Sequence, residues 1–228
     1  MIAKFSSETD TYDVPAREAI SLAIARASKI NVPDFKLVKL DIDKSVLMLK
    51  RFDRNATKRI PYMSAMTFLQ SIDGTSNNYS YLDIANIIEK NSKETVTSDL
   101  VELFKRMILN IMIGNKDDHL KNHGFLYVNN NWKLSPVFDL EISVDKSHHS
   151  LALDDKGSLY TDIQSLLNTS EYYGIEKCQA KDIILEIAEY SYDWRKFGKE
   201  LFIENSTLNK LPDERLYLND IKVLSSYL

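Results

Sequence analysis

Carboxylate, amide and imidazole side chains are concentrated in one loop, residues 114–124, which holds Asn-Lys-Asp-Asp-His-Leu-Lys-Asn-His between two glycines. Asp117 and Asn122 are five positions apart in this loop, and Asp139 follows seventeen positions later. Phosphoryl transfer to a hydroxyl needs a carboxylate that accepts the hydroxyl proton and oxygen ligands for Mg²⁺. Protein-kinase catalytic loops have the same step from Asp to Asn, although their histidine precedes the aspartate. The spacing therefore makes phosphoryl transfer one candidate chemistry.

Neighbouring loop residues point in different directions, so Asp117 and Asp118 are expected to have different roles. We expect one carboxylate to face the site and the other, Asp118, to support the loop. A second candidate chemistry is metal-dependent phosphate hydrolysis by the two aspartates with His119 and His123, which would share a face if this stretch were helical. The flanking glycines and Asn122 disfavour a continuous helix there.

A buried helix and a hairpin are predicted on the two sides of this loop. Apolar residues recur at three- and four-residue steps from Leu100 to Ile111, which is typical of one buried helix face. Gly114 allows the positive φ that ends such a helix. Two strand-like runs follow, 125–128 and 132–134, with three asparagines near the turn. The loop is therefore expected to sit on rigid supports, as catalytic groups require.

The first fifty residues are predicted to form a small sheet that carries one helix. Residues 2–5 have the composition of a strand, and a helix is expected to begin at Pro15 with its cap near Asp13. Two further strand-like runs, 35–40 and 46–49, indicate a hairpin.

The pattern after this small sheet is mainly helical. Ser64 and Ser80 are predicted helix caps, and the long helix before the loop is expected to begin near Asp99. Further helical patterns cover 183–190, 194–202 and 211–224. The expected fold class is α+β with two parts, a small mixed part at 1–52 and a larger helical part at 53–228.

Composition limits the classes of protein to consider. The 228 residues are 44% hydrophobic and 27% charged, which is ordinary for a globular chain. A net charge of −4 argues against a protein built to coat nucleic acid. Cys178 is the single cysteine, so no internal disulfide forms and a reducing compartment is expected. No apolar run approaches the ~20 residues of a membrane span, and the N-terminus does not resemble a signal peptide, so a cytoplasmic location is expected.

Several short motifs occur in a fixed order along the chain and support phosphoryl transfer as its chemistry. The central ones are Asn115-x-Asp117-Asp118-His119-x-Lys121-Asn122-x-x-Phe125 and Pro136-x-Phe138-Asp139-Leu140. The flanking ones are Ile2-Ala3-Lys4-Phe5, Arg51-Phe52-Asp53-Arg54 and Arg59-Ile60-Pro61-Tyr62-Met63-Ser64. Together they resemble the core of the HipA-type serine/threonine kinases, the toxins of bacterial toxin–antitoxin systems. The resemblance implies a two-lobed, protein-kinase-like fold with a truncated N-lobe at 1–52 and a helical C-lobe at 53–228.

The resemblance assigns chemistry to the central loop. Asp117 would be the catalytic base, while Asn122 and Asp139 would bind Mg²⁺. His119 and Lys121 would orient the loop and the phosphates of ATP.

The resemblance also assigns a nucleotide site. Lys4 would contact the phosphates of ATP and pair with Glu18 on the first helix, as the strand lysine does in kinases generally. The backbone from Lys50 through Arg51 to Phe52 would hold the edge of the adenine. Asp53 and Arg54 also fit a solvated ion-pair cluster without a role in catalysis.

Substrate and partner follow from the resemblance alone. The chain would phosphorylate serine or threonine on a protein, such as an aminoacyl-tRNA synthetase, and thereby arrest growth. An antitoxin that binds DNA would be its partner, while the chain itself is not expected to bind nucleic acid.

One departure from the family pattern concerns glycine. The family has a glycine-rich phosphate loop before its lysine strand, whereas no glycine precedes Gly74 here. We expect a fragment of a longer kinase; a separate N-terminal subunit that completes the lobe and a chain that no longer turns over ATP are the alternatives. The rival function is therefore a non-catalytic module that binds an antitoxin or a complementing subunit.

Overall fold

The computed structural model describes residues 1–41, 43–141, 149–158 and 163–211. Its strands are β1 (Ile2–Phe5), β2 (Phe35–Asp41), β3 (Lys44–Leu49), β4 (Arg54–Asn55), β5 (Lys58–Arg59), β6 (Tyr62–Ser64), β7 (Gly124–Val128) and β8 (Asn131–Leu134). Its α-helices are α1 (Val14–Ala27), α2 (Ala65–Phe68), α3 (Tyr81–Asn91), α4 (Val96–Met112), α5 (Ile163–Thr169), α6 (Lys177–Tyr192), α7 (Trp194–Glu200) and α8 (Asn205–Leu208). Short 3₁₀ turns cover Ser76–Asn78, Leu120–Asn122 and Ser170–Tyr173.

The first sheet has the strand order β1-β3-β2, and all its pairs are antiparallel. Lys4 of β1 stands opposite Leu47 of the buried central strand. The helix α1 packs on this sheet, and its N-terminus is capped because the backbone N–H of Ala16 donates to Asp13 Oδ1 at 3.2 Å. The predicted strand, capped helix and hairpin are therefore confirmed.

A second sheet, in the order β6-β7-β8, carries the hairpin that follows the polar loop. Asn129 and Asn130 both have positive φ, which suits the tight turn between β7 and β8. The pairing of β6 with the start of β7 was not predicted from sequence.

The helical part is built around α4, whose apolar face is fully buried at Leu103, Phe104 and Met107. This helix packs against α3 and α6, and Gly114 follows it with φ of 72°. It begins at Val96, one turn earlier than predicted, and α5 and α8 were not predicted. The helix expected at 211–224 lies, apart from Leu211, outside the described residues.

The hydrophobic core is continuous across the predicted boundary at residue 52. Besides covering the first sheet, α1 packs against α6 and α7 of the helical part. The guanidinium of Arg17 lies 4.7 Å from the centre of the Trp194 ring, which joins α1 to α7. Across the described ranges, no helix is both long and apolar enough to cross a membrane.

Candidate active site

An apolar cleft of about 310 Å³ lies between the first sheet and the connection that follows it. The rings of Phe52 and Phe138 stand 5.7 Å apart, and Tyr62 lies 6.3 Å from Phe52. Flat aromatic walls of this kind suit a planar heterocycle. Residues that line the cleft include Ile2, Lys4, Leu49, Phe52, Tyr62 and Phe138.

Lys4 lies at this cleft and joins two carboxylates from distant parts of the chain. Its Nζ is 2.8 Å from Glu18 Oε1 on α1 and 2.7 Å from Asp139 Oδ1. The pair that was expected between Lys4 and Glu18 is therefore present, and Asp139 is a second partner. Asp139 has φ of 62°, a left-handed backbone conformation that aspartate tolerates better than most residues.

Electrostatics of this cluster reflect burial as well as pairing. Burial alone would lower the pKa of Lys4, but the charges and hydrogen bonds of Glu18 and Asp139 outweigh it and raise that pKa. Burial raises the pKa of Glu18, because its side chain is only 4% exposed, and Lys4 offsets this in part. Burial together with the nearby charge of Asp139 also raises the pKa of Glu141. One ammonium therefore faces several carboxylates.

The charged side chains in the connection after β3 form ion pairs with nearby residues. Lys50 pairs with Asp34 at 3.0 Å, and its backbone N–H donates to the Asp34 carbonyl at 2.8 Å. Arg51 makes a two-pronged contact with Asp53 at 2.9 and 2.7 Å, and Arg54 pairs with the same carboxylate. The ion-pair cluster that was the alternative to a catalytic role for Asp53 and Arg54 is thus present. Lys50 and Arg51 also border the cleft.

The two adjacent aspartates of the loop are in different surroundings, as expected. Asp117 is half-buried, and its backbone N–H donates to Asn115 Oδ1 at 3.2 Å. Asp118 is only 4% exposed and supports the loop. It accepts hydrogen bonds from the side chains of Tyr81 at 2.5 Å and Asn110 at 2.7 Å, and His123 lies 2.9 Å away.

Asn122 closes the short 3₁₀ turn of the loop, because its N–H donates to the His119 carbonyl at 2.8 Å. Lys121, expected to orient phosphates, is 2.6 Å from Asp73 on the loop between α2 and α3. His119 has extended backbone angles and caps the turn, so His119 and His123 do not share a helix. Among the described residues there is no cluster of three His, Cys, Asp or Glu side chains arranged to hold a metal ion. The helical face that His119 and His123 would share in the hydrolase alternative is therefore not formed.

The two predicted Mg²⁺ ligands lie on the segments that enter and leave the β7–β8 hairpin. Phe125 of β7 is opposite Leu134 of β8, so the segment with Asn122, two residues before β7, and the segment with Asp139, five residues after β8, join the hairpin at the same end. An amide oxygen and a carboxylate are hard oxygen donors that fit Mg²⁺, which keeps part of its water shell. The contact of Asp139 with the Lys4 ammonium shows that this carboxylate already faces a cation.

Tyr62 links the loop to the cleft. A Cβ built on Gly124 would come within 2.3 Å of the Tyr62 ring, so only glycine allows this close approach. The carbonyl of His123 also accepts the N–H of Ala65 at 2.8 Å, directly after β6. The loop and the aromatic wall are thus held by one pair of strands.

Four residues of this region were not assigned from sequence. Tyr62 and Phe138 occur in the recognised motifs, but their places as cleft walls depend on the pairing of distant segments. Tyr81 and Asn110 hold Asp118, and one signal was available, since Asn110 is a polar residue within the buried stretch of α4.

Comparison with known proteins gives two curated relatives. One, provisionally named kinase Y4dM from Sinorhizobium fredii (strain NBRC 101917 / NGR234), is 31% identical over 140 residues, which are 56% of this chain and 34% of that protein. Another, provisionally named a kinase from Haemophilus influenzae, is 26% identical over 135 residues, or 54% of this chain and 39% of its own length. The chain thus matches little more than a third of each relative's length.

Solved structures share the fold. The HipA, HipB and operator DNA complex of the Shewanella oneidensis MR-1 toxin–antitoxin system contains a chain that matches 98% of this one with a TM-score of 0.69, at 17% identity and 55% coverage of that chain. The Helicobacter pylori proinflammatory kinase CtkA matches 99% with a TM-score of 0.56, at 14% identity and 89% coverage. The predicted HipA-like, kinase-like α+β fold is therefore confirmed.

The model of one protein family matches most of the chain. That family is described as the HipA-like C-terminal domain, and the match covers residues 1–194. Because this span far exceeds half of the 228 residues, the chain belongs to the HipA-like C-terminal domain family.

Proposed function

We propose that this chain carries the nucleotide site and the phosphoryl-transfer site of a HipA-type serine/threonine protein kinase. The observation that carries the proposal is the contact of Lys4 with both Glu18 and Asp139 at the edge of an aromatic cleft. A lysine held by a helix glutamate beside a metal-binding aspartate is the arrangement with which kinases hold ATP. Family membership supports the same reaction class.

In the proposed site, the apolar cleft holds the adenine and Lys4 holds the phosphates. The backbone of residues 50–52 borders the adenine edge, and Glu18 fixes the position of the Lys4 ammonium. Asn122 and Asp139 would bind Mg²⁺, which when bound neutralises charge on the phosphates. The half-buried Asp117 orients the substrate hydroxyl and accepts its proton, while His119 and Lys121 orient the loop.

The whole protein is proposed to act on a serine or threonine of a protein, such as an aminoacyl-tRNA synthetase, in the bacterial cytoplasm. An antitoxin is the proposed partner, since a fold neighbour from Shewanella oneidensis is part of a complex of HipA, HipB and operator DNA. The division of the chain at residue 52 into a partial N-lobe and a C-lobe belongs to this proposal.

The transfer reaction is tested with γ-labelled ATP and a generic serine/threonine acceptor protein, using the wild type, Asp117→Asn and Asp182→Asn. Asp182 lies on α6, away from the motifs, and serves as the matched control. We expect label on serine or threonine in the wild type and the control, and a loss of at least about 100-fold in Asp117→Asn. Equal transfer by Asp117→Asn would contradict the role of this carboxylate.

A second candidate function, a module completed by another polypeptide segment, has one specific observation in its favour. β1 lies at the edge of its sheet, and Ile2 and Phe5 on it are 47% and 64% exposed. An exposed apolar edge strand is a template for a further strand. Hydrogen exchange tests this, because a complementing segment should slow amide exchange in Ile2–Phe5; unchanged exchange with saturating antitoxin or N-terminal segment would argue against it.

A further inference from the structure

The carboxylate of Asp118 is a meeting point of three elements. One oxygen, Oδ2, accepts from the Tyr81 hydroxyl at the start of α3 and from the Asn110 amide on α4. His123 Nε2, just after the 3₁₀ turn, lies 2.9 Å from the same oxygen. All four residues are at most 4% exposed, so these contacts are made away from water. Buried hydrogen bonds of this kind fix the geometry of the groups that they join, although the other ring nitrogen of His123, Nδ1, has no partner among the described residues.

Asn110 reaches both sides of Asp117. Its Nδ2 donates to Asp118, while its Oδ1 accepts from Asn115 Nδ2 at 3.0 Å. Asn115 in turn accepts the backbone N–H of Asp117 through its Oδ1 at 3.2 Å. Asn115, two residues before Asp117, and Asp118, the residue after it, are therefore both hydrogen-bonded to the Asn110 side chain on the buried helix α4.

The same network reaches the other functional end of the loop. His123 directly follows Asn122, and its contact with Asp118 spans the 3₁₀ turn between them. The network thus has one anchor beside Asp117 and one beside Asn122. Burial alone would raise the pKa of Asp118, but the contacts with His123 and Tyr81 outweigh burial and lower it, so the carboxylate stays ionised.

We propose that Asn110 and Asp118 are positioning residues, which set the placement of Asp117 relative to Asn122 through a buried amide–carboxylate contact. This inference rests on the proposed function, in which Asp117 and Asn122 serve the transfer reaction. Neither positioning residue touches the cleft of Lys4 and Phe52. Loss of either therefore lowers the rate of transfer more than it weakens binding of ATP.

The test uses Asn110→Asp, Asp118→Asn and the double variant that exchanges the two side chains. Asn110→Asp puts two carboxylates in contact, and Asp118→Asn puts two amides there. The exchange restores one amide and one carboxylate. We expect kcat to fall about 10- to 100-fold in each single variant with KM for ATP within about twofold. The exchanged protein should recover most of this loss.

Two further variants guard against a trivial result. Tyr81→Phe removes the hydroxyl that donates to Asp118 and accepts from Asn110 Nδ2 at 3.3 Å, but it keeps the contact between Asn110 and Asp118. It should therefore lower kcat less than Asp118→Asn does, and it remains informative if Asn110→Asp fails to fold. Asn91→Asp is the matched control, because Asn91 donates to the Ile87 carbonyl within its own helix α3, and the kcat of this variant should equal that of the wild type.

Amide hydrogen exchange of residues 115–123 supplies a readout that does not depend on activity. Exchange should be faster in the single variants and return toward the wild-type rate in the exchanged protein. A wild type without transfer activity would refute the proposed function, and the positioning role would then stand or fall on exchange alone. Wild-type kcat and exchange in both single variants, or no recovery in a folded exchanged protein, would overturn the inference.

Discussion

At the scale of single residues, Lys4 has a place in two arrangements. Here its ammonium joins Glu18 to Asp139, and in the proposed complex it would hold phosphates while Asp139 turns to Mg²⁺. Glu18 would keep Lys4 in place in both arrangements, because its side chain is buried beside the ammonium. The contact between Lys4 and Asp139 is thus expected to give way when Mg·ATP binds.

Lys4→Met is expected to weaken binding of Mg·ATP by about 10- to 100-fold, because a charged hydrogen-bond donor to phosphate contributes about 1.5–3 kcal/mol. Titration calorimetry measures the change. Lys36→Met is the control, since Lys36 is exposed on β2 of the same sheet. Equal loss in both variants would mean that the effect is one of general charge.

His149 contacts the first part of the loop and is expected to make the stability of the fold depend on pH. Its Nδ1 lies 3.2 Å from the carbonyl of Asn115, and burial lowers the pKa of its imidazole below 6.5. The unfolded chain therefore binds this proton more readily than the folded one, so the stabilising contribution is present above pH 6.5 and is lost as the pH falls through the folded-state pKa.

His149→Gln removes this titration but keeps a side chain that can donate to the Asn115 carbonyl. Between pH 7.5 and pH 5.5 the wild type should lose more free energy of unfolding than His149→Gln does. Urea unfolding at the two pH values measures this difference. A variant that loses as much as the wild type would rule out His149 as a source of acid sensitivity.

At the scale of elements, the close approach of β6 and β7 is the contact that joins the loop to the cleft. Gly124→Ala is expected to destabilise the fold by about 1–3 kcal/mol, because the new methyl group would meet the Tyr62 ring at 2.3 Å. The ring must then move, and the cleft wall with it. Thermal or urea unfolding reports the cost.

A double-mutant cycle separates this clash from other effects of the methyl group. Tyr62→Ala removes the ring, so Gly124→Ala should cost much less in that background. If Gly124→Ala lowers the free energy of unfolding equally with and without the Tyr62 ring, the close contact is not the cause of the destabilisation.

Elements whose sequence signal lies within a few neighbouring residues were predictable from the sequence. The cap at Asp13, the apolar period of α4 and the asparagine turn between β7 and β8 each depend on neighbours in the chain. The strand β6 was not predictable, because its three residues form a strand only through pairing with β7 some sixty positions later. Helix α5 was missed because Gln, Ser, Asn and Thr interrupt a short apolar pattern.

The parts of the candidate site that lie in family motifs or have a regular spacing were predictable from the sequence. The pairing of Lys4 with Glu18 was expected, whereas the contact of Lys4 with Asp139 joins residues 135 positions apart and no local pattern encodes it. The ion pair of Lys121 with Asp73 likewise depends on how two loops meet. The roles assigned to Asp117, His119, Asn122 and the other site residues stay predictions.

At the scale of the whole molecule, α1 belongs to both parts. Besides the Arg17–Trp194 contact, a Cβ built on Gly198 of α7 would lie 3.4 Å from Ile20 of α1, so the two helices pack closely. We expect one cooperative unfolding transition in calorimetry, with no separate melting of residues 1–52. Two transitions, one of which is removed by deleting the first sheet, would contradict this.

We expect the cleft, with Lys4 and Asp139 at its edge, to be a working nucleotide site, and calorimetry of Mg·ATP binding decides whether it is. The titration compares the wild type with Asp139→Asn and with Asp155→Asn, an exposed control. We predict binding that needs Mg²⁺, is lost or reduced at least about tenfold in Asp139→Asn and is unchanged in Asp155→Asn. Failure of the wild-type chain to bind ATP at millimolar concentration, or binding that is equal in Asp139→Asn, would show that Lys4 and Asp139 do not form the edge of a nucleotide site.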